Sequence, residues 1–261
     1  KIKLYCIKLS CNTLLGLLFS LKLSATTFTV TNTSDNNFTP PYTPNTLRWA
    51  IYNAEIDANA GNYAIISFNA NGLCQIQDYL GWINIWAGQG LGSISFEKAL
   101  GSSGPQGWEV IGTVTSPFGL LVIDNPLNTS VHFSNLNIVC NTSVMSPNNK
   151  TNIELNYANN ISFDHCNFYN HAIAIGVLYS RQGLSITNCN FSSPQPQWFG
   201  LGSGAPDDFD NITISNNTCI NTSFSCIPGG HTTIPYTINF SNNAFVNGSA
   251  LIILDNDDIA S

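Results

Sequence analysis

Charged residues are scarce in this sequence, at only 9% of its 261 positions. A globular domain ordinarily carries about a quarter. Only eight residues are Lys or Arg, and four of these precede residue 26: Lys1, Lys3, Lys8 and Lys22. Residues 26–261 contain four basic residues and 15 acidic ones. Such a balance argues against nucleic acid or an anionic membrane as a partner.

Two further absences narrow the function classes. The eight cysteines include no Cys-x-x-Cys pair, so we expect no zinc site. The longest apolar run near the start, residues 14–19, is too short to span a bilayer. Together with the basic residues before it and the small residues Ser24 and Ala25 after it, that run is typical of a secretory signal peptide.

We therefore predict a signal peptide over residues 1–25 and a secreted or cell-surface location, including an outer membrane. An uncleaved signal acting as a membrane anchor is the alternative. We also expect the natural chain to continue past residue 261, where a membrane anchor could follow. Apart from these two routes, we expect no membrane contact.

A repeat of 23 to 30 residues organises the second half. Each copy reads apolar, polar, apolar, small polar, then Asn or His, and alternation of period two predicts a half-buried strand. A unit this short cannot bury its own apolar face, but stacked units bury a continuous core. The five copies are VHFSNLNI from Val131, ISFDHCNF from Ile161, LSITNCNF from Leu184, ITISNNTC from Ile212 and INFSNNAF from Ile238.

Stacking of these copies predicts two side-chain columns. The inward column comprises Phe133, Phe163, Ile186, Ile214 and Phe240. The polar column at the following turn comprises Asn135, His165, Asn188, Asn216 and Asn242. Stacked Asn side chains can hydrogen-bond along the stacking axis. Cys166 and Cys189 occupy matching positions in adjacent copies, so they either pack as buried thiols or form a disulfide.

The first half contains one helix signal. Asn45 or Thr46 can cap the helix, residues 47–54 supply an apolar stripe, and the Asn-Ala-Gly at 59–61 ends it. A short helix at the head of a stack can cover an open end that would otherwise expose core and unpaired strand edges.

The segments TFTVTNTSDN, NTLRWAIYNAEIDANAG and YAIISFNANG resemble the N-terminal module of exported bacterial right-handed β-helix proteins. The later repeats resemble those of the pectin-lyase-like superfamily, and the FSNN at 240–243 is similar to repeats of polymorphic outer-membrane-protein passengers. The resemblance implies an all-β, single-stranded right-handed parallel β-helix, or solenoid, with a short N-terminal capping helix. We assign residues 26–261 to it: an N-terminal cap at 26–72, irregular early coils at 73–130 and regular coils at 131–261.

The candidate catalytic residues are a cluster of carboxylates and one Arg. Paired carboxylates are what glycoside hydrolysis requires, and an Arg can stabilise the anion formed by a polysaccharide lyase. The candidates are Asp207, Asp208, Asp210 and Arg181. The basic elements that accompany such carboxylates in polygalacturonases are missing downstream.

Asp255, Asp257 and Asp258 resemble the start of a calcium loop, although the Gly and the distal Glu of an EF-hand are absent. Solvated turn carboxylates are the alternative interpretation, and we expect no other cofactor. We therefore predict a non-enzymatic scaffold for adhesion or surface interaction, with a host-cell or surface glycan or protein as ligand. A carbohydrate-active enzyme, either a hydrolase or a lyase, is the alternative.

Overall fold

The structure is a computed structural model that describes residues 25–84, 92–111, 119–124, 130–140, 151–171, 173–194, 198–203, 211–226 and 237–252. It is predominantly β, with parallel sheets and one helix, α1 (Leu47–Asn59). The strands are β1 (Thr26–Val30), β2 (Tyr63–Phe68), β3 (Cys74–Ile76), β4 (Gly81–Asn84), β5 (Ser93–Lys98), β6 (Gly107–Val110), β7 (Leu121–Asp124), β8 (Val131–Ser134), β9 (Asn137–Cys140), β10 (Thr151–Asp164), β11 (Asn167–Tyr169), β12 (Ile173–Thr187), β13 (Asn190–Ser192), β14 (Trp198–Ser203), β15 (Asn211–Ser215), β16 (Thr218–Ile220), β17 (Thr222–Cys226), β18 (Thr237–Ser241), β19 (Ala244–Val246) and β20 (Ala250–Ile252).

Within the described residues these strands form a 13-stranded sheet and a 7-stranded sheet, which we call the larger and the smaller sheet. Each strand pairs in parallel with the matching strand of the next repeat, so the repeats stack as layers. The long strands β10 and β12 each turn a corner: the first half of β10 pairs with β7 and its second half with β8. A layer therefore contributes strand segments to three positions around the stack.

The inward side chains of the larger sheet lie one above another through every layer. Phe133 pairs with Phe163, which pairs with Ile186, and the register continues to Ile214 and Phe240. The column also extends the other way, through Phe28, Ile66 and Phe96. Neighbouring rings stack at centroid distances of 4.6 Å (Phe96–Phe133) and 4.8 Å (Phe133–Phe163), close to the spacing of paired strands. The apolar core therefore runs along the stacking axis.

The polar column after these strands is a column of bends. All five residues have positive φ, between 52° and 58°, which is the left-handed region that Asn tolerates better than most residues. The backbone N–H groups of the first four donate to the layer above, as in Asn135 N to Asp164 O at 3.0 Å. The five residues are Asn135, His165, Asn188, Asn216 and Asn242. Within the part described, no hydrogen bond joins their side chains to one another.

The amide ladders expected from the repeat are present, but neighbouring positions form them. Asn217 Nδ2 donates to Asn243 Oδ1 at 2.9 Å, inside the stack, and a second ladder begins at Asn137. The reason is geometric: a left-handed residue at a corner directs its exposed side chain outward, whereas the residue after it faces the interior.

Helix α1 packs against the first layers. Thr46 caps it by accepting a hydrogen bond from Trp49 N at 3.3 Å, and Leu47, Ala50 and Ala54 are buried. Arg48 is only 4% exposed, forms an ion pair with Asp35, and donates to the carbonyls of Tyr79 and Asp78. This buried pair joins the helix to the loop before it.

Residues 73–130, predicted as irregular early coils, contain five strands, β3 to β7, in their described part. These join the same two sheets in regular register, for example Trp108 with Ile138 and Phe96 with Phe133.

Candidate binding surface

Over the five strands β9, β11, β13, β16 and β19, the outer side of the smaller sheet carries two uncharged columns, which together we call the amide face. Glu109 of the neighbouring strand β6 lies beside Val139 at one end of this face. One column follows the first outward position of each strand: Asn137, Asn167, Asn190, Thr218 and Ala244. The other follows the second outward position: Val139, Tyr169, Ser192, Ile220 and Val246. Between them, buried residues such as Phe168 and Phe191 point into the core.

Three amides of this face form a hydrogen-bonded ladder. Asn167 Nδ2 donates to Asn137 Oδ1 at 3.1 Å, and Asn190 Nδ2 donates to Asn167 Oδ1 at 2.8 Å. An amide nitrogen carries two hydrogens, so each donor retains one for an external acceptor. The ladder also fixes the side-chain rotamers, which lowers the entropy cost of binding.

The second column exposes apolar surface beside the ladder. Tyr169 is 37% exposed, Ile220 41% and Val246 51%. An aromatic ring and aliphatic side chains next to ordered amides suit a neutral partner with both polar and apolar faces. The face is built on paired strands rather than on loops.

The outer side of the larger sheet is richer in hydroxyl groups and holds two histidines. His132 Nδ1 and Ser162 Oγ lie 2.6 Å apart across neighbouring strands, and burial lowers the pKa of His132. Asp164 hydrogen-bonds to His165 Nδ1 at 2.8 Å rather than to His132. The described Ser, His and Asp side chains therefore do not assemble a nucleophile, base and orienting carboxylate in series.

Asp164 instead links two layers. Its Oδ1 accepts hydrogen bonds from Thr187 Oγ1 and Asn188 Nδ2, both at 2.8 Å. Burial tends to raise the pKa of Asp164, but the hydrogen bonds from Asn188, His165 and Thr187 outweigh it and lower the pKa below its ordinary value. This arrangement stabilises the ionised carboxylate at neutral pH.

Cys166 and Cys189 lie at matching positions of adjacent layers as free, buried thiols. Their sulfurs donate to Asp164 O at 3.5 Å and Thr187 O at 3.1 Å. Contact with Cys166, together with burial, raises the pKa of Cys189.

The predicted catalytic and calcium residues lie almost entirely outside the described residues: Asp207, Asp208, Asp210, Asp255, Asp257 and Asp258. Arg181 lies within β12, and only its backbone is described. The catalytic and calcium assignments therefore stay predictions. The sequence analysis did not predict the amide face. Its signal in the sequence was an Asn two positions after a bend, at residues 137, 167 and 190.

Among the described residues, no three His, Cys, Asp or Glu side chains group as a metal site. In the same ranges, no helix has the length and apolar character needed to cross a membrane. No family model matches the chain, and no curated protein or solved structure is significantly similar to it.

Proposed function

We propose that this chain is a single right-handed parallel β-helix of the pectin-lyase-like type, secreted or held at a cell surface, that serves as a scaffold for adhesion. The stacked parallel strands and the amide ladders support this proposal. A solenoid presents equivalent side chains at a spacing of about 4.8 Å per layer. Such a surface suits a partner that is itself repetitive.

The observation that carries the proposal is the amide face, an uncharged ladder of Asn137, Asn167 and Asn190 beside the exposed ring of Tyr169. The chain has a formal charge of −7, so a polyanionic partner would be repelled. Amides that hydrogen-bond hydroxyl groups, next to an aromatic ring that packs against a sugar ring, favour a neutral glycan. We therefore name a neutral surface glycan as the ligand.

The test is binding of the purified full chain to an array of neutral and anionic glycans. Tyr169→Ala should weaken binding to the best neutral glycan about tenfold or more, because an aromatic anchor contributes about 1–3 kcal/mol. Tyr52→Ala is the matched control, since Tyr52 is 43% exposed on α1, away from the amide face.

Two results would contradict the proposal. If Tyr169→Ala and Tyr52→Ala weakened binding equally, the amide face would not be the binding site. Release of free or unsaturated sugars during incubation would instead favour the enzyme alternative, with Asp207, Asp208, Asp210 and Arg181 as residues to substitute next.

A further inference from the structure

A group of buried oxygen atoms lies where β4 and β7 end beside the middle of β10. Asn84 at the end of β4 pairs with Asp124 at the end of β7, and Asp124 pairs with Asn156 in β10. Glu154 lies two residues before Asn156 and therefore on the same face of β10. We call these four residues the oxygen cluster.

Three oxygens of the cluster are buried and have no hydrogen-bond partner: Asn84 Oδ1, Asn156 Oδ1 and Glu154 Oε1. Glu154 is only 7% exposed, and its other oxygen accepts a hydrogen bond from Gly119 N at 2.7 Å. A buried polar atom without a partner costs about 1–3 kcal/mol, and more when it is charged. Three such acceptors in one place require a donor or a cation.

The two basic side chains that the structure describes, Arg48 and Lys98, are held elsewhere. Arg48 is bound to Asp35, and Lys98 donates to Gly104 O. Burial raises the pKa of Glu154, against the effect of the Gly119 hydrogen bond, and also raises the pKa of Asp124. Burial raises the pKa of Tyr79, and the negative charge of Glu154 raises it further. The Tyr79 hydroxyl is also buried without a hydrogen-bond partner.

A water molecule, a proton or a metal ion could satisfy these oxygens. Water supplies two hydrogens but no charge, and a single proton satisfies one oxygen only. A divalent cation balances the charge of both carboxylates and is coordinated by several oxygens at once. Carboxylates and amide carbonyls are the ligands of Ca²⁺, which takes six to eight oxygens in flexible geometry, whereas Mg²⁺ demands a stricter octahedron.

We propose that the oxygen cluster of Asn84, Asp124, Glu154 and Asn156 binds Ca²⁺ and thereby joins the strands β4, β7 and β10. The four side chains supply part of the ion's coordination shell. This site lies on the larger sheet and is separate from the amide face. It holds two carboxylates, Asp124 and Glu154, together with two amide oxygens.

The experiment uses the full chain after treatment with a chelator. Addition of Ca²⁺ should raise the midpoint of thermal unfolding by several degrees, because an ion that binds only the folded state stabilises it. Calorimetric titration should give about one ion per chain with a Kd that Asp124→Asn or Glu154→Gln weakens at least tenfold. Glu97→Gln, a carboxylate of the larger sheet outside the cluster, is the control and should leave the Kd unchanged.

The wild-type chain alone keeps the test decisive if either variant fails to fold. Ca²⁺ without effect on its unfolding midpoint, or without measurable heat of binding, would overturn the proposal. The proposal would also be overturned if the unfolding midpoint varied with pH in the same way with and without Ca²⁺, because a proton would then be the occupant. Equal weakening of the Kd by Glu97→Gln would place the ion elsewhere and overturn the assignment to these residues.

Discussion

Asn217 donates from Nδ2 to Asn243 Oδ1 in the next layer, at 2.9 Å, and its own Oδ1 accepts from Cys189 N at the same distance. The same Nδ2 also donates to Ile186 O at 2.9 Å. One buried amide thus satisfies backbone groups of the layer below while bonding to the layer above. The adjacent Asn216 instead lies at a bend with φ +58° and is exposed.

Substitution of these two asparagines should separate their roles. Asn217→Ala leaves Cys189 N–H and Ile186 C=O buried without this partner, which costs about 1–3 kcal/mol for each. Asn216→Gly should change stability by less than about 1 kcal/mol, because Gly adopts positive φ readily. Urea unfolding of both variants measures the difference, and similar losses would contradict the assignment.

The inward ring column predicts a large packing effect at Phe163, which stacks on Phe133 at 4.8 Å and is fully buried. Phe163→Ala should reduce the free energy of unfolding by about 3–5 kcal/mol through lost burial and the cavity left behind. Ser185→Ala, at an outward position of the next layer, should stay within about 0.5 kcal/mol. Denaturant unfolding checks both; a small effect at Phe163 would be inconsistent with the described core.

The ion pair between Arg48 and Asp35 predicts an asymmetric mutational result. Removal of one partner, as in Arg48→Met, leaves a buried charge and should cost about 3–5 kcal/mol. The double variant Arg48→Met with Asp35→Leu should recover much of this loss, because no charge then remains buried. A thermal-unfolding comparison tests this, and additive losses in the double variant would show that the charges do not interact.

Glu55 predicts a fall in stability as the pH rises. Burial, opposed by a hydrogen bond from Asn84 N, raises its pKa from 4.5 to about 6 in the folded chain. The folded state therefore binds the proton more tightly than the unfolded state, so stability declines as the pH rises from about 4.5 to 6 and then levels off. Since Glu55 is partly exposed, we expect a change of about 1 kcal/mol.

Glu55→Gln should flatten that part of the pH profile. The profile is measured by urea unfolding in the presence of a chelator, so that metal binding at the neighbouring oxygen cluster does not contribute. Glu97→Gln serves again as the control variant. An unchanged slope in Glu55→Gln would assign the pH dependence to Glu154 or Asp124, whose pKa values are raised in the same direction.

Because the thiols of Cys166 and Cys189 are buried, we expect them to react slowly with thiol reagents. Cys166 and Cys189 should not react with a thiol reagent until the chain unfolds, because burial restricts access and the raised pKa of Cys189 disfavours its thiolate. Mass spectrometry after labelling, with and without denaturant, reports each residue. Failure to label either residue even after unfolding, reversed by a reductant, would identify the disulfide alternative.

Much of the stack could be predicted from the sequence because its determinants are local. Alternation of period two in segments such as ITIS and INFS defines strands and inward side chains, and the recurrence of the motif pairs Phe133 with Phe163 and Ile186 with Ile214. The cap at Thr46 and the apolar stripe after it likewise define α1 from neighbouring residues.

Tertiary structure alone decided which polar residues act together. Asn216 and Asn217 are the same residue type side by side, and only the bend makes one an exposed corner and the other a buried hydrogen-bonding residue. The pairing of Arg48 with Asp35, 13 residues apart, depends on how α1 packs against the loop before it. The hydrogen bond from Gly119 to Glu154, 35 residues apart, depends on how neighbouring layers pack. Local patterns specify a strand and its inward face, but the contacts of polar side chains form between layers.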